Sequence, residues 1–172
     1  MSRTIPAALV PAILAMTAIV VASNILVQFL AGPWLTWGAF TYPFAFLVTD
    51  LTNRFQGAAA ARRVVVAGFV VGLVCTLIAA GLDKTTFRIG LGSGLAFLSA
   101  QLLDVAVFNR LRQGSWWRAP LVSTLVSSTL DTVIFFSVAM SAFFTFLEPG
   151  NDVSWATGAI PLLGSGPEAP LW

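Results

Sequence analysis

Five apolar runs, each close to the ~20 residues a helix needs to cross a bilayer, dominate this chain. They extend from about Ala7 to Ala31, Trp37 to Asn53, Val64 to Leu82, Ile89 to Leu111 and Ala119 to Phe146. None alternates with period two, so helices rather than barrel strands are expected. Hydrophobic residues make up 58% of the sequence and charged ones only 9%, against roughly 25% charged in a soluble domain. The pattern predicts an all-α fold, a polytopic membrane helix bundle with five transmembrane helices in residues 1–146. Residues 147–172 then form an extracytoplasmic C-terminal segment, whose Trp155–Leu163 patch is too short to span and is broken by Pro161. The first run, about 25 residues, exceeds the roughly 7–15 of a signal peptide's apolar core, so a retained helix is expected.

Basic residues orient the bundle. Arg3, then Arg54, Arg62 and Arg63, then Arg110, Arg112 and Arg118 occupy the N-terminus and alternate connections, while the other side holds only Lys84 and Arg88. That asymmetry places the N-terminus in the cytoplasm. Trp34, Trp37, Trp116, Trp117 and Trp155 fall at expected interfaces, where amphipathic rings prefer to sit.

The same composition narrows the chemistry. Histidine is absent and Cys75 is the one cysteine, which leaves no internal disulfide, no cysteine metal cluster and no histidine base. No metal and no cofactor are expected, and an enzyme is not. The arginines sit at segment ends rather than on one face, so no nucleic acid is expected as partner. No GxxxxGK[ST] loop occurs, and Gly90-Leu-Gly-Ser-Gly94 follows no Rossmann strand. Gly68-Phe-Val-Val-Gly72 reads as a small-xxx-small packing face.

Against that apolar background the interior polar residues stand out. Asp104 and Asp131 lie near the centres of the fourth and fifth runs in similar strings, Leu103-Asp-Val-Ala-Val-Phe108 and Leu130-Asp-Thr-Val-Ile-Phe135. A charged side chain at mid-membrane costs about 2.5–3.5 kcal/mol on insertion scales, so its default reading is functional. Consecutive antiparallel helices should set the two aspartates side by side at similar depth, as a polar-ligand site or a proton relay. Gln101 shares the face of Asp104 at i,i+3, and Ser127 that of Asp131 at i,i+4. Ser123 and Thr129 read as packing residues. Asn24 and Gln28 share a face of the first helix, where site lining and interhelical bonding weigh equally. In the second run, Tyr42-Pro43 predicts a mid-span kink that frees the Ala39 carbonyl. Asp50 and Arg54, at i,i+4 near the cytoplasmic end, suggest an ion pair with a gating role as the alternative.

The strings Thr36–Arg54, Ala61-Arg-Arg63, Ser99–Gln113, Trp116-Trp117, Ser123-Thr-Leu125 and Asp131-Thr132 resemble the bacterial queuosine precursor transporter family, as do Ser23-Asn24 and Leu26-Val-Gln28. The match covers roughly residues 20–140. The resemblance implies an inner-membrane importer of 7-deazaguanines, 7-cyano-7-deazaguanine (preQ0) first and preQ1 second. It also implies a six-helix fold resembling vitamin-transporter substrate-binding subunits. By that measure the chain looks truncated before a sixth helix, and its connection between the third and fourth runs is short.

A deazaguanine presents N1–H beside an exocyclic amine, a donor pair that one carboxylate accepts. On the resemblance, Asp104 or Asp131 would take that edge. Gln101 and Asn24 would read the carbonyl and ring nitrogens, and Phe108, Phe135 or Tyr42 would stack on the ring. The expected partners are this small molecule and the lipid bilayer, and a homo-oligomer is compatible with the sequence. Two alternatives are a substrate-binding subunit of a vitamin-type ATP-driven importer and a non-transporting structural membrane protein. An intramembrane aspartyl protease is disfavoured, because Leu rather than Tyr or Gly precedes each aspartate.

Overall fold

A computed structural model describes residues 6–32 and 35–154 and the backbone of 159–161 and 168–170. Arg3, Trp34 and Trp155, which entered the charge and aromatic patterns, lie outside the described residues. A 3₁₀ turn at Ala7–Leu9 leads into α1 (Val10–Leu26). Next come α2 (Gly38–Thr41), α3 (Pro43–Gln56), α4 (Ala58–Gly81), α5 (Phe87–Leu111) and α6 (Arg118–Met140). A second 3₁₀ segment, Ala142–Leu147, follows α6. Two short strands, β1 (Ala159–Pro161) and β2 (Glu168–Pro170), pair antiparallel, Ile160 opposite Ala169.

Among the described residues, four helices are long and apolar enough to cross a membrane: Ala7–Leu26 and α4, α5 and α6. The chain is a multi-pass membrane protein. The second expected span is a different object. It is broken where Pro43 cannot donate a backbone bond, into α2 and α3. Together these cover residues 38–56, about 28 Å of helix at 1.5 Å per residue. This stretch turns a polar face inward, with Thr49, Asp50, Thr52 and Asn53 all buried. Irregular backbone at membrane depth is tolerated where protein or a cavity surrounds it.

Other boundaries shift for local reasons. α4 starts six residues before the apolar run, because four consecutive alanines at 58–61 favour helix without needing lipid. Between α3 and α4, Gly57 takes φ 86°, which a side chain would strain, and this permits an immediate reversal. Thr86 caps α5 by accepting from the Ile89 amide at 3.3 Å. α6 stops at Met140, short of the expected Phe146, as Ser141 turns extended.

The most extensive helix pairing joins α5 to α6, and α4 rests on α1, α3 and α5. Small residues set these approaches: a Cβ on Gly68 would lie 2.7 Å from Met16 Cγ, and one on Gly92 3.3 Å from the Phe135 carbonyl. The outward faces of α4 and α6 carry exposed Val66, Val70, Leu73, Leu77, Leu121 and Leu125. The interior holds Asp50, Asn53, Gln101, Asp104, Ser123 and Ser127. Lipid is the solvent such a surface suits. Trp116 and Trp117 lie partly exposed at the α3–α4 end of the bundle and Trp37 at the other.

Candidate functional site

Polar residues gather at two levels of the bundle, linked by α3. The upper level, toward the C-terminus of α1, surrounds a cavity of about 280 Å³. Its walls come from α1 (Ser23, Asn24), α2 and the following residue (Gly38, Ala39, Tyr42), α5 (Ser93, Ala96) and α6 (Asp131, Phe135). A second cavity of about 300 Å³ adjoins it, sharing Asn24, Val27, Ser93 and Phe135. The two reach the size of ordinary small-molecule sites, roughly 300–1,000 Å³.

The α2–α3 break creates this level. Tyr42 sits at the junction, and its hydroxyl donates to Asp131 Oδ1 at 3.0 Å. Edge contacts with Phe46 and Phe97, at 6.0 and 6.3 Å between centroids, fix its ring. One residue before, Thr41 shares a 2.9 Å hydroxyl bond with Ser23, which ties α2 to α1. The Asn24 amide nitrogen donates to the Val20 carbonyl at 2.9 Å, leaving Oδ1 as an acceptor at the cavity wall. Asp131 Oδ2, Asn24 Oδ1 and the Ser93 hydroxyl thus offer acceptors beside the rings of Phe135 and Tyr42.

The lower level is a closed seam. α3 and α5 run parallel with a constant offset of 52 residues. The Thr49 hydroxyl lies 2.6 Å from Gln101 Oε1, and Asn53 Nδ2 donates to the Val105 carbonyl at 2.9 Å. Between these rungs the carboxyls of Asp50 and Asp104 face each other, with the Ser123 hydroxyl of α6 beside both. Asp50 is 5% exposed and Asp104 fully buried. At the α3–α4 end of the bundle, Arg54 donates to the Trp116 carbonyl at 2.8 Å and its Cζ lies 5.6 Å from the Phe108 ring centre. Arg112 donates to the Asn53 carbonyl at 3.2 Å.

Several expected placements change. Asp104 and Asp131 are not side by side. Asp104 reaches Ser123, eight residues before Asp131 on α6, which separates the two aspartates by about 12 Å along the axis. Each lies a little off its helix centre, and on antiparallel helices the two offsets add. Gln101 and Phe108 belong to the seam rather than the cavity. Asn24, Tyr42, Asp131 and Phe135 do share the cavity. Gln28 lies beyond the end of α1 and lines the adjoining cavity together with Asn24. Among the described residues Asp50 and Arg54 form no direct ion pair, since Arg54 is engaged by Trp116 and Phe108.

Sequence reasoning missed Ser93, and it read Ser123 as packing only. The Gly90–Gly94 string held the signal for Ser93: small residues make room for a cavity as readily as for a neighbouring helix. Arg88, expected in a loop, is fully buried and donates to the Val138 and Ser141 carbonyls at the end of α6. Among the described residues no cluster of three or more His, Cys, Asp or Glu side chains could hold a metal ion.

Residues 36–160, which contain the α2–α3 break, the seam and most of the cavity wall, match the family described as "Putative vitamin uptake transporter". The chain belongs to that family. It is 39% identical over 140 residues to the "Queuosine precursor transporter" of Escherichia coli, covering 70% of this chain and 63% of that protein. It is also 39% identical over 137 residues to the "Probable queuosine precursor transporter" of Haemophilus influenzae, covering 70% and 57%. Against the protein so named from Bacillus subtilis it is 34% identical over 133 residues, covering 64% and 58%. The chain thus spans about three-fifths of the length of these relatives. No solved structure matches it.

Proposed function

We propose that this chain imports queuosine precursors, preQ0 first and preQ1 second, across the bacterial inner membrane, with its N-terminus in the cytoplasm. The arginines at the α3–α4 and α5–α6 connections support this orientation through the positive-inside bias. The cavity then opens toward the outside and the α3–α5 seam closes the cytoplasmic half, the arrangement of a carrier awaiting substrate.

The observation that carries the reading is the Tyr42–Asp131 pair at the cavity wall. With Oδ1 held by Tyr42, Asp131 keeps Oδ2 to accept from the N1–H and exocyclic amine edge of a deazaguanine. Asn24 Oδ1 supplies a further acceptor, and Phe135 supplies an apolar face for the ring. Asp104, Gln101 and Phe108 lie below this cavity and take no part in ligand contact.

The test is uptake of radiolabelled preQ0 by cells that neither make nor import it, followed by queuosine content of their tRNA. This chain should restore both, and Asp131→Asn at equal membrane abundance should not. No uptake with the unaltered chain would reject the transport reading. Unchanged uptake with Asp131→Asn would reject the site.

A further inference from the structure

The Asp50–Asp104 contact is the feature that ligand recognition leaves unexplained. Two carboxyl groups meet in a seam that buries both, and neither oxygen of Asp104 makes a well-formed hydrogen bond to the protein, only loose approaches from Asp50 and the Ser123 hydroxyl. Asp50 Oδ1 lacks one as well. Three more unpartnered polar atoms adjoin them: Asn53 Oδ1, three residues from Asp50 on α3, Gln101 Nε2, one turn from Asp104 on α5, and the Ser127 hydroxyl, one turn from Ser123 on α6. All three side chains are fully buried. A structural network would satisfy these atoms. The open oxygens suit a small cationic species, which the Gln101 amide nitrogen, a donor only, cannot hold.

The charges around the pair are few. On α3, Arg54 acts on Asp50 at a distance, and its guanidinium is already engaged by Trp116 and Phe108. On α5, Arg110 is exposed and Arg112 is directed to the Asn53 carbonyl. α6 offers only the Ser123 hydroxyl at this level, with Asp131 two turns away and Arg118 at the helix start. On α4, Arg62 and Arg63 are exposed, and α1 carries no charged residue. Two ionised carboxylates cannot face each other in such a seam, whereas one shared proton makes a carboxyl–carboxylate hydrogen bond.

We propose that Asp50 and Asp104 bind one proton between them and that this proton is the coupling ion of transport. The inference rests on the transport reading above. With the proton bound, the pair closes the seam between α3 and α5. When it leaves to the cytoplasm, the two charges repel and α3 parts from α5. Tyr42 is the N-cap residue of α3, eight residues before Asp50 and about 12 Å away along that helix. Ligand held by Tyr42 and Asp131 can therefore bias the same two-state element.

The test uses the full chain in proteoliposomes with radiolabelled preQ0. Counterflow exchange without any gradient reports the carrier itself, and accumulation under an inward proton gradient reports coupling. One pH unit should support about tenfold accumulation if one proton accompanies each substrate. Asp50→Asn and Asp104→Asn remove the repulsion that parts α3 from α5, so both should lose accumulation above equilibrium and slow counterflow, and counterflow as fast as in the unaltered chain overturns the proposal. Counterflow in the unaltered chain without a response to pH, or with a response only to sodium, overturns coupling and leaves the transport reading standing. Absence of counterflow overturns both. Because misfolding would also slow counterflow, infrared difference spectra of the unaltered protein decide: a protonated-carboxyl band that changes on preQ0 addition supports the proposal, and an unchanged spectrum overturns it.

Discussion

Tyr42 reaches across 89 positions of sequence to donate its hydroxyl proton to Asp131 at 3.0 Å, closing one wall of the cavity. The bond holds the carboxyl with one oxygen engaged and the other free, a ready-made orientation for a planar donor edge. Tyr42→Phe keeps the ring but removes that restraint. A hydrogen bond to a charged group contributes about 1.5–3 kcal/mol, or roughly 10–150-fold in binding. PreQ0 uptake by this variant should show an apparent affinity weakened within that range and an unchanged maximal rate. Asn24→Ala, which removes one acceptor, should cost less.

Close helix approach generates a second expectation. Gly68 of α4 lies against Met16 of α1, and an added Cβ would come 2.7 Å from Met16 Cγ. Overpacking of this kind costs about 1–3 kcal/mol. Gly68→Leu should lower the melting temperature in detergent, and pairing it with Met16→Ala should recover part of the loss. Equal melting of the single and double variants would show that the two sites do not share this contact.

These contacts show what the sequence could and could not reveal. Apolar length and arginine placement made the long spans legible, because bilayer thickness acts on each segment separately. The α2–α3 break was legible as well, since proline's missing donor is a local fact. Depth matching was not. Asp104 and Asp131 each lie near a helix centre, yet small opposite offsets on antiparallel helices place them two turns apart. The true partner of Asp104 is Asp50, on a helix joined to α5 only through the whole of α4, and no local spacing encodes a parallel register of 52. Asn24, Tyr42, Asp131 and Phe135 fell within reach of reasoning because each is a polar or aromatic group inside an apolar run. Ser93 did not, because a serine among glycines reads first as packing.

Arg88 marks the opposite end of the α5–α6 pair. Fully buried, it donates Nε to the Val138 carbonyl at 2.7 Å and Nη2 to the Ser141 carbonyl. These are unsatisfied acceptors at a helix C-terminus, where a cation is also favoured by the dipole. Replacing it with Met strands both carbonyls, at about 1–3 kcal/mol each. Hydrogen exchange at the last turn of α6 should accelerate in Arg88→Met, with little change at its N-terminal half. Arg88→Lys should be intermediate, because an ammonium keeps the charge without the two-pronged reach.

The Thr49–Gln101 rung tests the seam by its non-additivity. Thr49→Val removes the donor 2.6 Å from Gln101 Oε1 and leaves a fully buried amide with neither end satisfied. An orphaned buried polar group costs about 1–3 kcal/mol, whereas removing both partners together is close to neutral. Gln101→Leu alone strands the Thr49 hydroxyl less severely, since it can turn to the Ala45 carbonyl at 3.1 Å. Thermal melts of the two single variants and the double variant should therefore give a coupling energy of about 0.5–3 kcal/mol. The double variant should melt above Thr49→Val. Because it replaces polar rungs with apolar packing, it should also hold the seam closed and slow preQ0 uptake while leaving binding at the Tyr42–Asp131 level intact. Uptake as fast as that of the unaltered chain would show that the seam does not have to open.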